Sequence, residues 1–143
     1  MRIWHKDLIS VLPREQLVAQ WRELSAIAGA IRKKGTPNHI LVNFVLDYDY
    51  DHFINYAVEV RKEMTNRGYQ TMNWVWDKIT SLKPDWQRLP HNKIYEDKMD
   101  AIYLTICFYN LYEKYLCGGI SQNDWWMIPL TYDKVYDSLK ERM

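Results

Sequence analysis

No stretch of this 143-residue chain stays apolar for the roughly 18 residues that a membrane-spanning helix needs, so none is expected. Cysteine is scarce. Cys107 and Cys117 stand alone, ten residues apart, too few for a disulfide framework and without metal-ligand spacing, and are expected to be reduced structural thiols. Glycine and proline number five each and fall where helices start or stop, which leaves no glycine-rich phosphate loop and no low-complexity segment. Serine- and cysteine-nucleophile signatures are missing as well. The opening Met1-Arg2-Ile3-Trp4-His5-Lys6-Asp7 has no long apolar run behind its charges, so no signal peptide and a cytoplasmic location are expected. Net charge is only +1, which excludes a protein coated in positive charge.

What is present is an ordinary globular composition, 48% apolar and 26% charged, of a length that fits one domain over residues 1–143. Aromatic residues reach 15%, with seven Trp and eleven Tyr, a richness that suits either a ring-filled core or a surface that stacks on flat ligands. Charge is unevenly spread. Residues 1–34 hold seven cations against three acids, a net of +4, and the remainder carries −3. Such asymmetry fits a local polyanion-binding surface.

The periodicity is helical, and the expected class is all-α: a compact single-domain helical bundle with a long N-terminal helix. Pro13 suits a helix start and Gly35-Thr36-Pro37 a stop, with Leu17, Trp21, Leu24, Ala28 and Ile31 forming one buried stripe between them. A second helix is expected from about Asp49 to Arg67, with Phe53, Tyr56, Ala57, Val60 and Met64 inward and Gly68 as its left-handed cap. A shorter one should span Met72–Leu82. Asp97 is read as the cap of a long helix through Ile102, Ile106, Tyr109 and Tyr112, closed by Gly118-Gly119. Ser121 should cap a turn through Trp125-Trp126 that Pro129 breaks, and Thr131 should start a terminal helix. Leu41–Leu46 is the only strand-like stretch and equally suits a helix start.

Residues 14–34 placed at about 100° per residue put Glu23 about 120° from the core stripe. Ala19, Ala26 and Ala30 share its side, and Arg22, Gly29 and Lys33 form the next strip. A carboxylate in an alanine groove edged by cations is a surface that a ligand can approach closely. The plainer reading is a solvated face built of good helix formers.

The string Leu17-Val18-Ala19-Gln20-Trp21-Arg22-Glu23-Leu24, then Gly29-Ala30-Ile31-Arg32-Lys33, resembles the first helix of the pyrimidine-dimer DNA glycosylase (phage endonuclease V) family. There an aromatic-Arg-Glu-Leu string is followed at the same distance by Gly-Ala-Val-Arg-Lys. Met1-Arg2-Ile3 is similar to that family's start, where an Arg-Ile pair follows the mature terminal residue. Asn66-Arg67-Gly68-Tyr69 is similar to a helix-ending Arg-Gly-aromatic there. The resemblance covers about residues 1–35.

It implies a small helical enzyme that flips a nucleotide at a damaged site and attacks the sugar with its own terminal amine. An α-amine is less basic than a lysine ammonium, so more of it is neutral and nucleophilic at physiological pH. Carried onto this chain, the Met1 α-amine is the nucleophile and Glu23 the acid/base and electrostatic partner. Arg2, Arg22, Arg32 and Lys33 hold DNA. The implied partner is damaged double-stranded DNA, with no membrane and no obligate protein partner, and the scheme needs no metal or organic cofactor. The chain departs from the pattern in several places: it is less basic overall, and the family's aromatic, basic C-terminal segment has only a loose analogue in Trp125-Trp126 and Tyr132. Arg2 after Met1 disfavours removal of Met1, so a larger residue holds the nucleophile's position. Ser25-Ala26 stands where the family has a further Arg after the Arg-Glu-Leu string, which removes one DNA contact.

His5, His39, His52 and His91 are scattered without ligand spacing. His39 either lines the site or is a plain structural histidine, the second being the simpler reading. Asp47, Asp49 and Asp51 alternate with Tyr48 and Tyr50, yet no glycine or terminal Glu completes a calcium loop, and helix capping explains them better. Trp74, Trp76, Trp86, Trp125 and Trp126 are candidates for base stacking, with core packing the simpler expectation for most. The competing function on the same fold is a non-catalytic helical module that binds nucleic acid or a protein. A third is an enzyme using its terminal amine on another aldehyde or glycosidic substrate.

Overall fold

The computed structural model describes residues 1–142 and is all-α, with no strand among the described residues. Six α-helices follow in order: α1 Arg14–Lys34, α2 Tyr50–Asn66, α3 Asn73–Thr80, α4 Ala101–Leu116, α5 Gln122–Trp125 and α6 Met127–Lys140. Short 3₁₀ segments at Lys6–Val11, Asn43–Asp47 and His91–Lys93 complete the helical elements. None of the described helices is long and apolar enough to cross a membrane.

Contacts divide the chain into two units. The first comprises residues 1–3 and 17–95, and so contains α1 from Leu17 onward with α2 and α3. Its α1 buries Leu17, Trp21, Leu24, Ile27 and Ala28, as the sequence stripe predicts, while Ile31 is half-buried. Arg32, Lys33 and Lys34 close the helix, where cations favour the exposed carbonyls. Gly35 follows at φ 74°, the left-handed conformation that a residue without Cβ adopts freely. Helix α2 buries Phe53, Tyr56, Ala57, Val60 and Met64, all five of the expected inward residues. Asp49 caps it by accepting from the Asp51 amide at 2.9 Å. Gly68, at φ 79°, ends it, and Tyr69 N bonds back to the Met64 carbonyl at 2.8 Å. The strand-like stretch at 41–46 forms no strand: Leu41 and Val42 lie in a turn, and the rest falls in the 3₁₀ segment Asn43–Asp47, which packs against α2.

The second unit comprises residues 4–16 and those from 96 onward. Helix α6 packs there against α4 and the Lys6–Val11 segment. Phe108 stacks on Tyr132 with ring centroids 4.1 Å apart, and Tyr115 on Trp125 at 4.7 Å. Two boundaries differ from expectation. Helix α4 is capped by Asp100, whose side chain accepts from Tyr103 N at 2.8 Å, rather than by Asp97. Ser121 caps α5 as expected, but Pro129 lies in the first turn of α6, where a missing N–H costs nothing, so it breaks no helix.

Candidate functional site

The start of the chain is seated on α1. Ile3 is fully buried and acts as the apolar anchor. The neighbouring Arg2 carbonyl accepts from Gln20 Nε2 at 2.9 Å. Gln20 is itself fully buried, and its oxygen accepts from the Tyr56 hydroxyl at 3.0 Å. A buried amide is expensive to leave unpaired, and here both of its ends are occupied, so this chain of bonds fixes Arg2 against the helix. Met1, one residue further out, is 47% exposed.

Glu23 lies three residues beyond Gln20, the spacing at which helical side chains are neighbours, roughly 5–6 Å apart at Cβ. It is half-buried, as are Ala19 and Ala30, whereas Ala26 is exposed. Glu23 therefore shares its side of α1 with three alanines, about one turn along from the residue that bonds Arg2.

Cations flank that face, and one of them comes from another element. Arg22 and Lys33 are exposed on α1. Between them Gly29 leaves room for Lys78 of α3: a Cβ at Gly29 would come within 3.0 Å of Lys78 Nζ. That ammonium donates to Ser25 Oγ at 3.2 Å. The glycine seen as part of a strip is thus where α3 lays its lysine across α1. Ser25, itself buried, receives that lysine. Arg32 donates to Ser81 Oγ, just after α3, and so is tied to the same element. Arg32 lies nine residues beyond Glu23, about 14 Å along the axis. It does not share the immediate surroundings of that carboxylate.

His39 and the Asp49–Asp51 pair have structural roles. His39 Nδ1 accepts from Leu41 N at 3.3 Å, and His39 N donates to Asn43 Oδ1 at 2.9 Å, so this histidine serves its own loop. Asp49 and Asp51 share Lys83 at 2.8 and 3.1 Å. The Asp49 carboxyl is held below its usual range, first by the Asp51 amide and then by Lys83. No group of three or more His, Cys, Asp or Glu residues among those described is arranged to hold a metal ion. The tryptophans depart from expectation: Trp76, Trp86 and Trp125 are half-buried, and Trp74 and Trp126 are 63% and 58% exposed, so none of the five is a core residue.

The chain is all-helical, and its first residues are tied to a helix that bears a half-buried carboxylate and exposed cations. The family described as "Pyrimidine dimer DNA glycosylase" matches residues 1–77, more than half of the chain, and the chain belongs to that family. The matched region spans α1, α2 and most of α3, the three helices that build this face. No curated protein and no solved structure gives a significant match.

Proposed function

We propose that the protein excises a damaged base from double-stranded DNA, a pyrimidine dimer or another lesion, and then cleaves the strand at the resulting site. The α-amine of Met1, as the mature first residue, attacks C1′ of the damaged nucleotide. A nitrogen–carbon bond forms, and the glycosidic bond breaks with its electron pair leaving on the base, which takes up a proton. Opening of the sugar ring and loss of the amine proton give an imine between Met1 and C1′. Removal of a C2′ proton then drives β-elimination, in which the C3′–oxygen bond breaks and the phosphate departs. Glu23 balances the positive charge that develops on the imine nitrogen and carries the transferred protons.

The observation that supports this reading is the part-buried Gln20–Arg2 bond at 2.9 Å, made by a residue three positions before Glu23 on α1. Arg2 and Arg22 would hold phosphates close to the extruded nucleotide. Arg32 and Lys33, about 14 Å along α1, would meet a phosphate roughly four base-pair steps away. A damaged pair is cheaper to unstack than an intact one, which gives part of the selectivity. The test is reduction with borohydride during incubation with duplexes carrying an abasic site or a cyclobutane dimer. A covalent protein–DNA adduct is expected with both. Absence of an adduct with either leaves a DNA-binding module without this chemistry.

A further inference from the structure

A second candidate site lies in the first unit, on the side of α2 turned away from the terminus. Tyr56 points from α2 to Gln20. Arg61, Lys62 and Thr65 project about 140°, 120° and 180° from Tyr56 around that helix. Together with Trp76, Trp86 and Arg88 they line an open pocket of about 390 Å³.

The pocket is built from ordered parts. The two indoles meet edge to face, with centroids 6.0 Å apart and planes at 86°, and so form a corner. The Arg61 guanidinium lies over the Trp76 ring at 5.2 Å. It is held in place by Nε donating to Thr71 Oγ1 and Nη2 to Asn73 Oδ1, each at 3.0 Å. A guanidinium has five donor hydrogens, so these two bonds leave donors for an anion, while the cation–π contact fixes the plane. Lys62 and Arg88 add charge. The carboxylate that both of them feel, Glu59, is engaged by His91 Nδ1 at 2.9 Å, and that bond is the main cause of its lowered pKa. Three cations in the lining against one engaged acid leave an excess of positive charge beside two half-buried indoles.

We propose that this pocket binds one nucleotide of an unpaired DNA strand, its base against the Trp76–Trp86 corner and its phosphate on Arg61 and Arg88. Aromatic walls alone would suit any apolar group, and cations alone any anion. Their union in a pocket of this size selects a flat ring that carries a phosphate, the unit that single-strand binding surfaces take up by stacking plus backbone attraction. The inference does not depend on the terminal-amine chemistry, because no lining residue belongs to the α1 face.

Calorimetric titration with thymidine 5′-monophosphate, thymidine, deoxyribose 5-phosphate and a six-residue oligothymidylate tests it. NMR of the indole N–H signals of Trp76 and Trp86 locates the binding. The monophosphate should bind at least fivefold more tightly than either fragment, the oligonucleotide more tightly still, and both indole signals should shift. Arg61→Gln and Arg88→Gln should each weaken oligonucleotide binding at least fivefold with unchanged circular dichroism. Trp86→Phe, which keeps a ring, should stay within about threefold. Glu23→Gln protein should bind the monophosphate as the parent does, so loss of strand cleavage and loss of this site are told apart. The proposal is overturned if the monophosphate binds no better than deoxyribose 5-phosphate or if the indole signals stay still. It is equally overturned if both Arg variants bind as the parent does. An oligonucleotide that binds no more tightly than the monophosphate would make this a free-nucleotide site and contradict the strand reading.

Discussion

Gln20 donates to the backbone carbonyl of Arg2 at 2.9 Å, a bond that ties the start of the chain to α1. Because the same amide accepts from Tyr56, the position of the terminus is tied to the packing of α1 on α2. Gln20→Met keeps much of the volume but strips both bonds, leaving a buried carbonyl and hydroxyl without these partners. The expected loss is about 1–3 kcal/mol in urea unfolding. Adduct formation with an abasic duplex should slow in the folded variant, with duplex affinity nearly unchanged. An unaltered trapping rate would show that Gln20 has no positioning role.

Lys78 reaches the candidate site from α3 and lies over Gly29. If it contacts one phosphate, Lys78→Ala should reduce the slope of log affinity against log salt by about 0.9 for duplex DNA. Fluorescence anisotropy between low and moderate salt measures this. An unchanged slope would place Lys78 in helix packing alone.

Glu23→Gln preserves shape and removes the negative charge. Duplex affinity should persist, while strand cleavage at an abasic site should fall by about 10²–10⁴-fold, the usual contribution of an acid/base group. Gel analysis of cleaved product under single-turnover conditions reads the rate. Undiminished cleavage would remove Glu23 from the chemistry.

His5 is fully buried, and its pKa is lowered, chiefly because burial penalises the charged ring and despite the opposing pull of Asp7. Its Nδ1 also accepts from the Asp7 amide at 3.1 Å, a bond that only the neutral ring can make. Folding therefore favours the neutral form. The contribution is intact above the ordinary value of 6.5 and is lost as pH falls from there toward the depressed folded value. The loss is at most about 1.4 kcal/mol per pH unit. Thermal unfolding at pH 7.5 and 5.5 should show a drop in Tm that a folded His5→Gln variant reduces. An equal drop in the variant would assign the effect elsewhere.

The legible parts of the fold were those governed by local rules. The α1 stripe, the α2 face, and the left-handed glycines at 35 and 68 follow from periodicity and backbone freedom that neighbours do not change. Helix α4 is the counterexample. It is apolar on most of its circumference, so Ile102, Ile106, Tyr109 and Tyr112 suggest a face, yet all four are exposed and Tyr103, Leu104, Cys107, Phe108 and Leu111 are buried instead. Where both faces are apolar, only the packing partner decides. The 3₁₀ segments are too short to declare a period. Tryptophan burial likewise depends on partners distant in sequence. At the candidate site Glu23, its alanines and the cationic strip beyond them were readable from one helix, because the helical repeat alone sets which side each takes. Lys78 was not, since it arrives from 53 residues beyond Ser25, and neither was the role of Gln20, which looks like a surface residue until Tyr56 and Arg2 close around it.

The proposed chemistry rests on the first nitrogen of the chain. Protein verified by mass to begin at Met1 with a free amine should form a borohydride-stable adduct with an abasic duplex. Peptide mapping should place the DNA remnant on Met1. Protein whose α-amine has been selectively acetylated should keep its fold and its duplex affinity and form no adduct. Trapping at full yield on the blocked protein, or a remnant mapped to a lysine such as Lys78, would contradict the terminal-amine mechanism.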